Sequence, residues 1–173
     1  PSACREVRVK AKEALGLSAF GLAGRATAIG SLPHLDPGVA RRLVLTYLPE
    51  IPVWPQLPRR SFLENMYIQS GHGFPGLVVE GERARVDRLP EMDQALESLY
   101  QAYIENKPEV YPMMAEYASG LYAFLHEGAG SPHVVKGQVT GPISCGLAVC
   151  DVEGRPILYD EVLADALARF LRL

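Results

Sequence analysis

The stretch Val134-Val135-Lys136-Gly137-Gln138-Val139-Thr140-Gly141-Pro142-Ile143-Ser144 decides how the chain is read. Its β-branched residues Val134, Val135 and Val139 favour extended backbone, and Lys136 and Gln138 fall on alternate positions. The strand must stop at Thr140-Gly141-Pro142: Pro142 has no N–H for a ladder, and Gly141 can take positive φ. A short buried strand therefore carries Lys136, Gln138 and Thr140 toward its C-terminal end and then breaks. In parallel α/β folds that is the end where ligands bind.

Upstream, Ala26–Ile29 reads as a first short strand, followed by the turn Gly30-Ser31-Leu32-Pro33-His34. Asp36-Pro37 opens a helix, an Asp cap before Pro at the first helical position, and the helix runs to about Leu48. Val39, Ala40, Leu43, Val44, Tyr47 and Leu48 form its apolar stripe. Ile51–Trp54 is a second strand, cut by Pro52 and Pro55, and Trp54-Pro55-Gln56-Leu57-Pro58 reads as a stiff turn. The spacing predicts a helix over Phe62–Ser70, with Ser61 and Glu64 as a capping box. Leu77–Glu80 and Arg83–Asp87 flank Gly81-Glu82 as a small hairpin. Further helices are predicted over Glu91–Glu105, Tyr111–Glu127 and Asp160–Leu173, with a short apolar run at Ser144–Cys150. Residues 1–25 read as an N-terminal extension with a weak helical stripe at Val7, Ala11, Ala14 and Leu15.

The chain is one domain long, 173 residues, and of ordinary globular composition, 48% hydrophobic and 21% charged. A net charge of -3 and the lack of a basic stripe argue against nucleic acid as a partner. No apolar run reaches the roughly 20 residues of a membrane span, and residues 1–25 show no signal-peptide h-region. Three cysteines, Cys4, Cys145 and Cys150, at no zinc-finger spacing imply a reducing cytoplasm and no disulfide framework. About three strands, each followed by a helix, make α/β, a partial (β/α)8 TIM barrel holding about its first half, with a hairpin insertion near 77–87. The domain reading is therefore an extension at 1–25 and the N-terminal part of a barrel domain at 26–173. The apolar stripe of Asp160–Leu173 is expected to lack a cover and to seek a homo-oligomer or a partner that completes the barrel.

Three segments together carry a family likeness. Thr27-Ala28-Ile29-Gly30-Ser31-Leu32-Pro33 resembles the T-x-I-G-S-x-P opening of the catalytic domain of cobalamin-independent methionine synthase. Val135-Lys136-Gly137-Gln138-Val139-Thr140-Gly141-Pro142 resembles that domain's K-G-x-x-T-G-P strand and turn. The run Trp54-Pro55-Gln56-Leu57-Pro58, followed by Glu64 and Met66, is similar to a smaller prokaryotic branch of the superfamily that also holds uroporphyrinogen decarboxylase and corrinoid-linked methyltransferases. The resemblance implies a cytoplasmic methyltransferase of methionine biosynthesis, acting on a thiol such as homocysteine with a separate methyl donor. It implies that Ile29, Gly30 and Ser31 hold the amino-acid part of the substrate. It places Gln56 where the family has a glutamate for the substrate's ammonium, and a neutral amide gives up that charge pairing. Zinc is implied for the full-length family enzyme, held by a His, two Cys and a Glu of the second half of the barrel. Those ligands are not present in this chain, and Cys145 and Cys150 do not match them.

The substrate-binding residues expected on this reading are Ile29, Gly30, Ser31, Trp54, Gln56, Lys136, Gln138, Thr140 and Gly141. Each has a plainer use: a helix-entry turn for Ser31, core packing for Trp54, satisfied strand polarity for Lys136 and Gln138. His34 and His72 read as loop histidines, Glu64 as a helix cap, and the two downstream cysteines as small buried residues. Two other chemistries stay open. A decarboxylase-like site would need Arg25, Arg59 and Arg60 to grip carboxylates. A non-catalytic assembly module would need only the open sheet edge.

Overall fold

The computed structural model describes residues 21–22 and 24–173, so the expectations for 1–20 and for Cys4 lie outside the described residues. The fold is mixed α/β. Among the described residues its helices are α1 (Pro37–Tyr47), α2 (Met66–Gly71), α3 (Met92–Glu105), α4 (Ser119–Glu127), α5 (Pro142–Ala148) and α6 (Glu161–Phe170). Three short strands, β1 (Leu77–Glu80), β2 (Arg83–Val86) and β3 (Cys150–Asp151), form one sheet in that order.

The hairpin forms as its sequence predicts, antiparallel with Leu77 opposite Val86 and Glu80 opposite Arg83. Gly81 supplies the turn with φ 60°. The parallel pairing of β2 with β3, Arg85 beside Cys150, has no local signal in the sequence. It is made by the chain returning after α5.

Three extended segments, 28–32, 51–57 and 134–140, lie parallel and side by side in that order. Ser31 pairs with Gln56, and Val53 pairs with Lys136. Gln56 N–H donates to Gly30 O at 2.9 Å, Leu32 N–H to Gln56 O at 2.9 Å, and Lys136 N–H to Pro52 O at 2.8 Å. The second segment does not end at Trp54 as expected. It runs on through Gln56, and residues 51–57 are all buried. Pro52 and Pro55 have no N–H to donate, so the ladder is reduced to separate pairings while the direction of the chain is kept.

Helix α1 starts as predicted: Asp36 Oδ1 accepts from Val39 N–H at 2.7 Å. Its buried side is narrower than the predicted stripe. Ala40 and Val44 are covered, whereas Val39, Leu43 and Tyr47 are exposed. Tyr47 and Leu43 instead flank an apolar groove of about 290 Å³ beside Ala28, Gly30 and Leu32. The helix expected over Phe62–Ser70 is two pieces. Ser61 Oγ caps a single 3-10 turn at Phe62–Glu64, and Asn65 Oδ1 caps α2. No capping box forms, because Glu64 is turned inward.

The helix expected over Tyr111–Glu127 begins only at Ser119. Pro112 keeps Tyr111 out of helical geometry, at φ -122° and ψ 64°. The helix is also pressed onto the second extended segment: a Cβ added to Gly120 would lie 1.9 Å from Pro55 O. One apolar cluster joins α1, the second segment and α4 through Val44, Val53, Trp54, Ala118 and Phe124.

The final helix needs no outside cover. Asp160 caps it, accepting from Val162 and Leu163 N–H at 3.1 Å. Leu163, Ala166, Leu167 and Phe170 are buried against Met92, Leu96 and Leu99 of α3 and Cys145 of α5. Each of the larger side chains contributes about 2 kcal/mol by leaving water. The expectation of a bare stripe on Asp160–Leu173 is therefore corrected. Of its six residues, only Val162 is exposed. Among the described residues no helix is long and apolar enough to cross a membrane.

Candidate functional site

Because the three extended segments are parallel, their C-terminal ends open on one side. Gly30-Ser31, Gln56 and Gln138 come together there from positions far apart in the chain. Gly30 is buried with φ 108°, a region that side chains avoid. A Cβ at this position would lie 2.5 Å from Gln138 Nε2, 3.0 Å from Val53 Cγ2 and 3.1 Å from Trp54 O. The glycine thus lets the Gln138 side chain cross the face of its neighbour.

An unbroken row of side-chain amides follows. Gln138 Nε2 donates to Gln56 Oε1 at 2.5 Å, and Ser31 Oγ lies 3.5 Å from the same oxygen. Gln56 Nε2 donates to Gln69 Oε1 at 2.5 Å, and Gln69 Nε2 donates to Tyr117 O at 2.5 Å. Gln56 and Gln69 are 3% and 2% exposed, so this polar row runs through the interior and is satisfied there.

Behind the row stands Glu64, fully buried. Its carboxylate accepts from Arg60 Nη1 at 2.7 Å, Ser119 Oγ at 2.6 Å and Leu57 N–H at 3.3 Å. It ties the end of the second segment to the start of α4, directly beside Gln56.

The other expected residues take different places. Lys136 Nζ donates to Ala28 O at 2.6 Å, bracing the first segment against the third. Thr140 spends its hydroxyl on Met66 O at 3.0 Å, and its N–H donates to Ser70 Oγ at 3.2 Å. Gly141 has φ -69° and open space where a Cβ would be, so neither conformation nor crowding demands glycine there. This corrects the positive φ allowed for in the turn; Pro142 simply starts α5. The side chain of Ile29 is exposed, and Trp54 is buried in the core cluster. Arg25 pairs with Glu50 and Arg60 with Glu64, which leaves Arg59 of the three arginines considered for gripping carboxylates.

The sequence does not single out Gln69, Ser70 and Ser119. Their one available signal is a polar residue at an apolar position of a helical pattern, which Gln69 shows. A cavity of about 280 Å³ adjoins the amide row, lined by Gln69, Ser70, His72, Tyr111, Val139 and Phe170. His72 stacks on Tyr117 with ring centroids 3.9 Å apart. Burial lowers its pKa below 6.5, and the nearby Glu116 opposes this only in part.

Neutral His72 is therefore favoured in the folded state, which binds fewer protons than the unfolded chain just below pH 6.5. The stability that depends on this is complete above that pH and is lost as pH falls through the lowered folded value. Thermal melts taken between about pH 7.5 and 5.5 should show a falling midpoint. In His72→Phe, which keeps a ring on Tyr117, the fall should be shallower. An identical pH slope in the two proteins would refute the assignment.

Among the described residues no group of three or more His, Cys, Asp or Glu could hold a metal ion. Cys145 is buried in the core and its thiol is pushed up to about 11 by desolvation, the opposite of what a thiolate ligand needs. The described residues do not fit a zinc centre. Comparisons with protein-family models, with curated proteins and with solved structures find no match for this chain.

Proposed function

We propose that the three parallel segments are the opening strands of a (β/α)8 barrel. On this reading the chain is the acceptor-binding part of a methyl-transfer protein of the cobalamin-independent methionine synthase type. The acceptor is a thiol, seated where Gly30-Ser31, Gln56 and Gln138 converge. One observation supports the reading: the residues of both resembling motifs, about a hundred positions apart, meet at the C-terminal ends of the two parallel segments that flank the Gln56 segment. Ligand sites of parallel α/β barrels lie at that end of their strands. Gly30 makes room for the Gln138 side chain to join this end, and exposed Ser31 offers donor and acceptor together.

Amide NMR titration tests this. Mercaptohexanol should shift the resonances of Gly30, Ser31 and Gln138 more strongly than hexanol, its sulfur-free counterpart. Equal shifts from both ligands, or shifts confined to other parts of the chain, would overturn the thiol reading.

A further inference from the structure

The amide row has only one consistent polarity, and that polarity selects the ligand. Its inner end is the Tyr117 carbonyl, which can only accept. Gln69 must turn its NH2 toward that oxygen, at 2.5 Å, and so presents its carbonyl to Gln56. Gln56 must then offer its NH2 to Gln69, at 2.5 Å, and present its carbonyl to Ser31 and Gln138. Gln138 must in turn donate from Nε2. Flipping any one amide would set two acceptors, or two donors, face to face. What remains at the outer end is the carbonyl oxygen of half-buried Gln138, with no protein donor among the described residues, beside the second N–H of its own amide, a pair that a group both donating and accepting matches. Hydrogen bonds in series polarise one another, which strengthens this oxygen as an acceptor.

The charges nearby narrow the choice further. Glu64, the buried carboxylate behind Gln56, is already occupied by Arg60, Ser119 and Leu57 N–H. The ammonium of Lys136 stands two residues from Gln138 on the same strand, held on Ala28 O. A second ammonium would meet that like charge, with the Glu64 carboxylate already taken. A carboxylate, which only accepts, could take the second N–H but would leave the Gln138 carbonyl unpaired and set an oxygen against it.

From this geometry we infer that Gln138 is a specificity-determining residue. Its carbonyl selects a ligand bearing an uncharged hydrogen-bond donor, a hydroxyl or an amide N–H, over one bearing a free ammonium or a carboxylate at the same place. The inference rests on the site proposed above and names the tail of its thiol ligand.

The test uses three probes that share a six-carbon thiol and differ in the far group: mercaptohexanol, aminohexanethiol and mercaptohexanoate. Dissociation constants are measured by NMR on the whole chain. Wild type should prefer the alcohol by about tenfold over the other two, the scale of one hydrogen bond to a polarised group. Gln138→Met should bind all three alike. Gln138→Glu, which keeps the side chain's shape, should turn the preference toward the amine, and it preserves the test where the methionine variant fails to fold. Wild type that favours the amine or the acid, that shows no preference, or that binds none of the probes would overturn the inference, as would a Glu variant with an unchanged order. Hexanol and hexylamine separate this inference from the thiol reading. If hexanol binds as well as mercaptohexanol and still beats hexylamine, the donor selection stands and the thiol reading falls.

Discussion

Replacing Gly30 with alanine should cost about 3 kcal/mol or more of folding stability. Two independent terms add. The backbone at φ 108° is one that a Cβ makes strained. The new methyl would also meet Gln138 Nε2 at 2.5 Å and Trp54 O at 3.1 Å. The first of these can swing away, but only by leaving Gln56. The second is main chain within a fully buried segment and cannot. The substitution therefore breaks the amide row and strains the pairing of the first two segments together. Urea unfolding followed by circular dichroism measures the cost, and NMR of the Gln138 side-chain amide reports the row. A loss below about 1 kcal/mol, within the range of an ordinary surface change, would mean that Gly30 is not the contact point described.

The second large effect is expected at Glu64. Glu64→Gln keeps the volume but replaces an oxygen with a donor, in a pocket whose three partners are all donors: Arg60, Ser119 and Leu57 N–H. One of them must lose its acceptor, and the charge pairing with Arg60 disappears. The expected loss is about 2–3 kcal/mol, the cost of an unsatisfied buried group together with a broken charged hydrogen bond. Arg60 is partly open to water, so most of the penalty falls on the buried Leu57 N–H and the half-buried Ser119 hydroxyl. Ser119→Ala combined with Glu64→Gln should accordingly cost less than the sum of the two single changes. Strict additivity in that double-mutant cycle would show that the Glu64–Ser119 contact carries no energy.

Much of the helical structure could be read locally. Asp36-Pro37 marked a helix start because an Asp cap acts on the N–H three positions on. The apolar period of α3 and α6 exceeded every competing signal. The hairpin at 77–86 followed from one glycine between two alternating runs. Expectations failed where a distant partner overrode a local preference. Glu64 had the spacing of a cap, yet three donors from outside its own turn drew it inward. The helix toward Glu127 was shortened at its start by Pro112, and α4 then closed on Pro55 across the interior. Gly141 looked like a bend that demanded glycine and is an ordinary helix cap.

The sequence by itself determined which residues of this protein could bear a site: a glycine before Ser31, the Gln56 run between prolines, and Gln138 ahead of a strand-ending Pro142. Their chemistry is local, set by side-chain type and by φ. Only the tertiary structure decided that they face one another and in which direction their amides point. That direction comes from the Tyr117 carbonyl, well outside both motifs, because a row of hydrogen bonds takes its polarity from whichever end is unable to turn.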